Sequence, residues 1–189
     1  MCIRDSSITI ARLVLAAIFV AAASVHSQLG NTVALIAFSL AAISDFLDGY
    51  LARKLNLVTS LGKLLDPLAD KILVAAAFIH LTAIGLCPVW VTSTIVAREF
   101  LVTGLRQIAV EQGQVIPADN LGKWKTTFQL IFCISALVWL LAESQPTNLF
   151  YGLTHPKGWL IRISLYGALL LTALSGFNYT WKGRHLLKG

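Results

Sequence analysis

Six long apolar runs, separated by polar and basic stretches, constrain the fold of this chain more than any other feature. They lie at about residues 8–25, 31–51, 67–85, 88–110, 126–143 and 159–180. A helix needs about 20 apolar residues to cross the hydrocarbon core of a bilayer, and each run approaches that length. The mean hydropathy of +0.75 and the 13% content of charged residues agree with surroundings of lipid. The sequence therefore predicts an all-α, polytopic membrane protein with six transmembrane helices.

The basic residues favour one orientation of these spans. If both termini face the cytoplasm, only Lys157 and Arg162 fall on the outer side, and the excess of positive charge inside is typical of membrane proteins. The external connections are then predicted at Ser27–Gly30, Gly85–Pro88 and Glu143–Gly158. The net charge of +6 is explained by a membrane surface and phosphate-bearing substrates, and no nucleic-acid partner is expected. The basic residues predicted inside are Arg4, Arg12, Arg53, Lys54, Lys63, Lys71, Arg98, Arg106, Lys123, Lys125, Lys182, Arg184 and Lys188.

Four aspartates stand out where the second span ends and the third begins. Asp45 and Asp48 are spaced i, i+3, and Asp66 and Asp70 are spaced i, i+4, so each pair shares one face of a helix. Carboxylates near lipid are costly unless cations or water compensate them. Carboxylate oxygens together with water and phosphate suit Mg²⁺ or Mn²⁺. The pattern predicts a divalent-metal site that faces a phosphate-bearing substrate.

Small and basic residues accompany these aspartates. Gly49, Ala52 and Gly62 leave room for a ring or a diphosphate to approach the backbone, although small residues also serve helix packing in membranes. Arg53 follows on the cytoplasmic side, where it can anchor the span or contact a diphosphate.

The spacing D-x2-D-G-x2-A-R-x8-G-x3-D-x3-D, from Asp45 to Asp70, resembles the signature of the CDP-alcohol phosphatidyltransferase family. All eight fixed positions of that signature are present. The segments A-R-E-F-L-V-T-G-L-R at 97–106 and L-G-K-W-K-T-T-F-Q at 121–129 resemble those of bacterial members that use sn-glycerol 3-phosphate. The resemblance, which runs from Thr9 onward, implies transfer of the phosphatidyl group from CDP-diacylglycerol to that acceptor, with release of CMP.

The resemblance also implies roles for individual residues. It assigns the four aspartates to two divalent cations and makes Asp70 the candidate general base. It implies a homodimer in the bacterial cytoplasmic membrane, with a polar cavity that faces the cytoplasm and CDP-diacylglycerol drawn from the surrounding lipid. The residues expected to contact the CDP-lipid are Thr9, Arg12, Gly49, Ala52, Arg53 and Gly62.

An acceptor that carries a phosphate dianion needs fixed cations. Arg98, Arg106, Lys123 and Lys125 are the basic residues expected to supply them. The two arginines lie eight residues apart on one helix face and are preferred to the two lysines, which are read as loop residues. Thr126 and Glu99 are weaker candidates, the first for a hydroxyl contact and the second for orienting an arginine.

The whole chain, 1–189, is expected to form a single membrane domain. Where the family has a Pro-Asn pair before Thr9 and Arg12, this chain has Asp5 and Ser6. Residues 1–7 are therefore interpreted as a non-native or truncated terminus. The small residues at 21–23 would also fit a signal-peptide cleavage site, but the apolar runs that follow favour a first span.

Other functions remain open from the sequence. A family member with another acceptor, such as a cardiolipin, phosphatidylserine or phosphatidylinositol-phosphate synthase, would share the metal motif. A polyprenyl transferase would show acidic clusters without the Gly, Ala and Arg spacing. An ion transporter could use intramembrane carboxylates as a relay, but no inverted repeat is visible.

Overall fold

The computed structural model describes residues 3–25, 27–55, 60–111, 120–143 and 153–183, with side chains described within 10–25, 27–44, 71–110, 122–143 and 153–181. These parts of the chain contain six helices and no strand, as the apolar runs predict. The helices are α1 (Ile3–Ser24), α2 (Gln28–Leu55), α3 (Ser60–Ala83), α4 (Val89–Glu111), α5 (Asn120–Ala142) and α6 (Trp159–Gly183). Each predicted run coincides with one helix, and the helices extend beyond several runs by a few residues.

The connections that follow α1 and α3 are closed by turn-forming contacts that end one helix and begin the next. Gly85 adopts φ +80°, and the N–H of Leu86 donates to the carbonyl of Leu81, which ends α3 in a left-handed glycine turn. Ser27 caps α2 by accepting from the N–H of Gly30 at 3.0 Å. The external turn predicted at Ser27–Gly30 is therefore shorter than expected, since α2 has already begun at Gln28.

Aromatic side chains fill the centre of the bundle. Phe19 and Phe38 join α1 to α2 with ring centroids 5.8 Å apart, and Phe78 stacks on Phe132 at 5.4 Å, which joins α3 to α5. All four are fully buried. Small residues such as Ala37 allow the helices to approach closely around these rings. Along its other side α5 packs against α6, which also contacts α4.

Two helical segments within the described residues are long and apolar enough to cross a membrane, Gly122–Ala142 and Trp159–Trp181. Three shorter apolar stretches lie at Ile10–Ser24, Gln28–Ser44 and Lys71–Ala83. The outward faces of the helices are apolar as well. On α6 this face includes Ile163, Tyr166, Leu170 and Phe177, each more than half exposed.

Candidate functional site

A cationic cavity of about 360 Å³ opens between α3, α4, α5 and α6. Its volume lies in the range of sites for small molecules. Five basic side chains and one acidic side chain line it, which gives a formal charge of +4. The lining residues are Lys71, Arg98, Glu99, Val102, Thr103, Arg106, Gly122, Lys123, Lys125, Thr126 and Tyr179. Such a surface favours a small anion.

Glu99 lies at the centre of the charged groups and contacts cations from three helices. Its Oε2 is 2.9 Å from Nζ of Lys71, which comes from α3. Its Oε1 accepts a short hydrogen bond from Nζ of Lys125 on α5 and lies 3.6 Å from Nη1 of Arg98 on its own helix. The side chains of Glu99 and Lys125 are 6% and 3% exposed. A buried carboxylate is tolerated because it is paired in this way.

Arg98 is held in place by α6. Its Nη2 donates to Oγ of Ser175 at 2.8 Å, and its guanidinium carbon lies 5.7 Å from the ring centroid of Tyr179. Gly176 makes this approach possible, since a Cβ there would lie 3.0 Å from Cγ of Arg98. Ser175 and Tyr179 are spaced i, i+4 and so face the same neighbour. Arg98 therefore points along a wall of α6 into the cavity.

Arg106 approaches the same aromatic ring. Its guanidinium carbon lies 5.8 Å from the ring centroid of Tyr179, close to the distance for Arg98. Cations over an aromatic face are attracted by the ring quadrupole, which makes the face electrostatically negative, and this attraction offsets part of the repulsion between two arginines on one ring. Tyr179 thereby assembles an arginine pair.

The first turns of α5 complete the cavity. Gly122 and Thr126 line it, and Lys123 is exposed at its edge. The N-terminal turn of a helix favours anions through its free N–H groups, whereas lysines there are unfavourable for the helix itself. The buried Lys125 is compensated by Glu99, and Gln129, one turn further on, makes a longer contact of 3.5 Å to the same carboxylate.

The four residues predicted to bind the acceptor phosphate lie together in this cavity, as do Thr126 and Glu99. One part of the sequence interpretation is wrong: Lys123 and Lys125 belong to α5, not to a loop, and Lys125 is more deeply buried than Arg98. Lys71 and Tyr179 were not assigned to this site from the sequence. Lys71 was read as a basic residue on the cytoplasmic side, and a tyrosine in an apolar helix gives no distinguishing signal.

The aspartates of the predicted metal site lie in the expected helices. Asp45 and Asp48 belong to α2, and Asp66 and Asp70 to α3, but their side chains lie outside the described residues. Asp48 lies seven residues before the end of α2, and Asp66 six residues after the start of α3. At 1.5 Å per residue both are about 10 Å from their helix ends, and the connection at 56–59 is short. Four carboxylates are a donor set that divalent cations accept, and the metal site stays a prediction.

Lys71 links the acidic motif to the cationic cavity. It follows Asp70 directly in α3, so the two Cα atoms are about 3.8 Å apart. Because Lys71 pairs with Glu99 inside the cavity, the acidic motif ends one residue before a residue that lines the cavity.

The residues predicted to contact the CDP-lipid are described in part. Arg12 on α1 is buried, with 5% of its surface exposed. Thr9 lies in α1, Gly49, Ala52 and Arg53 in α2, and Gly62 in α3, and the surroundings of these five lie outside the described residues. Their roles stay predictions.

A second cavity, of about 370 Å³, lies at the other end of the bundle. It is lined by α1, α2, α3 and α5, with His80, Gln28 and Glu143 among its polar groups. Along α5, Leu140 at this cavity and Lys125 at the first are 15 residues apart, about 22 Å. The two cavities are therefore separate.

Comparison with known proteins finds a family and several relatives that this chain resembles in sequence. The sequence profile of the CDP-alcohol phosphatidyltransferase family matches residues 5–174. A CDP-diacylglycerol–glycerol-3-phosphate 3-phosphatidyltransferase of Bacillus subtilis is 44% identical over 153 residues, which cover 81% of this chain and 74% of the relative. An enzyme of the same name from Rickettsia bellii is 38% identical, over 91% of this chain and 90% of its own. A probable phosphatidylglycerophosphate synthase of Mycobacterium tuberculosis is 34% identical, over 91% and 77%.

Proposed function

The chain belongs to the CDP-alcohol phosphatidyltransferase family, and from this premise we propose that it transfers the phosphatidyl group of CDP-diacylglycerol to sn-glycerol 3-phosphate. The products are phosphatidylglycerophosphate and CMP. Two of the relatives, from Bacillus subtilis and Rickettsia bellii, carry the name of this reaction. The observation that carries the proposal is the cationic cavity, whose lining residue Lys71 directly follows Asp70 in α3.

The cavity suits the phosphate of the acceptor. Glycerol 3-phosphate is mostly a dianion at neutral pH, and Arg98, Arg106, Lys123 and Lys125 offer charged donors to its oxygens. Arginine presents two parallel N–H groups to such oxygens, and Tyr179 keeps the two arginines together. With the phosphate held there, the free 1-hydroxyl of the glycerol points toward Asp70 in our proposal.

The reaction is a displacement at phosphorus. The 1-hydroxyl oxygen forms a bond to the phosphorus that carries diacylglycerol, the bond from that phosphorus to the CMP oxygen breaks, and CMP leaves with the electron pair. We assign to Asp70 the removal of the hydroxyl proton. Two divalent cations, Mg²⁺ or Mn²⁺, held by Asp45, Asp48, Asp66 and Asp70, would neutralise the diphosphate and stabilise charge on the leaving CMP.

The remaining family residues would hold the CDP-lipid. Small residues at Gly49, Ala52 and Gly62 let the nucleotide approach the backbone, and Arg53 and Arg12 supply charge to the diphosphate, with Thr9 as a further contact. The burial of Arg12 supports an inward role for that residue, since an arginine that served only as a surface anchor would be exposed.

We place all six helices across a membrane, with the cationic cavity on the cytoplasmic side. Exposed tryptophans support this placement. Trp159 and Trp181 stand at the two ends of α6, 22 residues or about 33 Å apart, which matches the thickness of the hydrocarbon core. Trp90 and Trp124, at the starts of α4 and α5, are exposed as well. The bacterial cytoplasmic membrane and a homodimer complete the proposal.

An assay of purified protein in mixed micelles tests the proposal. With CDP-diacylglycerol and glycerol 3-phosphate, we expect CMP and phosphatidylglycerophosphate in equal amounts, and we expect a chelator to stop the reaction and Mg²⁺ or Mn²⁺ to restore it. Serine should not replace the acceptor, because it lacks the phosphate. Inositol phosphate retains the phosphate and tests whether the cavity selects glycerol. The proposal would be overturned if product formed with serine or with inositol phosphate but not with glycerol 3-phosphate.

The same assay tests the roles assigned within the site. Asp70→Asn should lower turnover by about a hundredfold to ten-thousandfold while CDP-diacylglycerol still binds, because the substitution removes the base and leaves the other three aspartates. Glu143→Gln, a change of the same kind at the opposite cavity, serves as the control and should keep full turnover. Persistent turnover in Asp70→Asn would show that the base lies elsewhere.

A further inference from the structure

Glu99 presents an apparent contradiction, because it puts a negative charge in the middle of a cavity that we propose to bind a phosphate. An anionic side chain lowers the affinity for an anionic ligand if it acts through its charge alone. The structure shows, however, that this carboxylate faces the basic side chains directly. One of its oxygens pairs with Nζ of Lys71 and the other with Nζ of Lys125, and Nη1 of Arg98 lies within 4 Å of the second oxygen.

These contacts account for the arrangement of the cations. Lys71, Arg98 and Lys125 come from three different helices and converge on one point. Without a counter-charge, three cations at that distance would repel one another, and the long lysine side chains would turn toward solvent. Glu99 allows them to remain together when no acceptor is bound. Together with Glu99 they carry a local charge of +2, which equals in size the charge of a phosphate dianion.

The same contacts connect the two halves of the site. Lys71 follows Asp70 in α3, and its ammonium reaches across to Glu99 in α4 at 2.9 Å. Glu99 in turn holds Lys125 at the start of α5, and Arg98, its neighbour in sequence, is fixed to α6 through Ser175. One carboxylate therefore joins α3, directly after the acidic motif, to the phosphate-binding cations of α4 and α5.

We propose that Glu99 is a positioning residue that pre-assembles the acceptor phosphate site and fixes its distance from Asp70. It touches neither the transferred phosphorus nor the CDP-lipid and acts only through Lys71, Lys125 and Arg98. This inference rests on the proposed function, because it takes the anion in the cavity to be the acceptor. It predicts that the loss of the negative charge weakens acceptor binding, although the cavity becomes more positive.

Three variants test the proposal. Glu99→Gln keeps the shape of the side chain but replaces an oxygen by an N–H₂ donor, which would face the lysine ammonium groups. Glu99→Asp keeps the charge and shortens the reach by one methylene. Glu143→Gln makes the same chemical change at the cavity on the opposite end and is the matched control. Retention of the fold is checked by the thermal unfolding of each variant.

Binding and turnover are measured separately. Calorimetric titration with glycerol 3-phosphate, in the absence of CDP-diacylglycerol, should give a Kd at least tenfold higher for Glu99→Gln, an intermediate value for Glu99→Asp and an unchanged value for Glu143→Gln. In steady state, the KM for glycerol 3-phosphate should rise by a similar factor, while the KM for CDP-diacylglycerol stays within twofold. A merely structural role would raise both KM values or lower kcat alone.

Equal or tighter binding of glycerol 3-phosphate by Glu99→Gln would overturn the proposal, as would equal effects on both substrates. If Glu99→Gln does not fold, Glu99→Asp decides: a selective rise in the acceptor KM supports the positioning role, and unchanged constants contradict it. The failure of the proposed function would look different. In that case wild-type protein would bind glycerol 3-phosphate and lose this binding in Glu99→Gln, yet form no phosphatidylglycerophosphate.

Discussion

Two lysines that lie two residues apart in sequence have different surroundings in the cationic cavity. Lys125 is buried and pairs with Glu99, whereas Lys123, two residues earlier on α5, is exposed at the cavity's edge. Two residues along a helix differ in direction by about 200°, so only one of the pair can face the interior. Lys125 therefore belongs to the assembled charge network, and Lys123 is available to an incoming anion.

Arg98 is the residue whose loss should affect the acceptor most selectively. In Arg98→Ala the lost charge-assisted contacts amount to about 1.5–3 kcal/mol, so we expect the KM for glycerol 3-phosphate to rise about 10- to 150-fold with little change for CDP-diacylglycerol. Steady-state kinetics with each substrate varied in turn measure this. Arg98→Lys should recover part of the loss, and Arg162→Ala, an exposed arginine at the start of α6, is the control. Equal effects on both substrates would indicate a structural role.

At the level of single residues, the sequence identifies the candidates for phosphate binding but not the side chains that they contact. Arg98, Arg106, Lys123 and Lys125 were predicted from their charge and from the segments around them, and the structure brings them together. The pairing of Glu99 with Lys71 and Lys125 depends on which faces of three helices meet, and periodicity alone does not determine this. Arginines and lysines also serve as topological anchors, so charge alone does not separate the two roles.

The helix α6 contributes more to the site than its apolar sequence suggests. Ser175, Gly176 and Tyr179 form one face that contacts Arg98, while Gly167 packs against the ring of Phe128 on α5. Small residues let membrane helices approach closely, and here each glycine admits a side chain from a different neighbour. The sequence predicts the helix and its length correctly. It does not show which of its small residues serve packing and which serve the cavity.

Substitution of these glycines should separate stability from acceptor binding. Gly167→Ala places a Cβ 2.7 Å from the Phe128 ring, so we expect a loss of stability of about 1–3 kcal/mol with an unchanged KM. Gly176→Ala displaces Arg98 by a few tenths of an ångström and should raise the KM for glycerol 3-phosphate several-fold, with Gly176→Val more severe. Gly104→Ala, where a Cβ meets no atom within 4 Å, is the control. Thermal unfolding measures the change in stability, and steady-state kinetics measure the change in KM. A raised KM in Gly167→Ala with unchanged KM in Gly176→Ala would contradict the separation of packing from acceptor binding.

For the whole molecule, the proposed membrane placement sets the depth of the reaction. Ser175 lies six residues before Trp181, which corresponds to about 9 Å along α6. If Trp181 marks the headgroup layer, the cationic cavity begins at that layer and reaches only to the edge of the hydrocarbon. A water-soluble acceptor and a nucleotide on a lipid would meet at such a depth. The six helices follow from the apolar runs, whereas this depth depends on how the helices pack.

Single cysteines test the orientation. In a Cys2→Ser background, Lys123→Cys and Lys157→Cys each place a thiol at an exposed position, one on each side of the membrane in our proposal. A membrane-impermeant thiol reagent should label Lys157→Cys in intact spheroplasts and Lys123→Cys only in inverted vesicles. Cys87 and Cys133 are buried, and burial raises the pKa of the Cys87 thiol, so neither should react appreciably. The opposite labelling pattern would reverse the orientation.

The construction of the cationic cavity from α3, α4, α5 and α6 also bears on how acceptor preference evolves. Four of the five basic side chains in its wall are braced by a residue from another helix, as Arg98 is by Ser175 and Lys125 is by Glu99. A substitution in one helix leaves the bracing residue of the other helix without its matching side chain, so single substitutions weaken acceptor binding. New acceptor preferences in lineages with this architecture would arise through paired changes, and the braced pairs are the positions where covariation between relatives should be strongest.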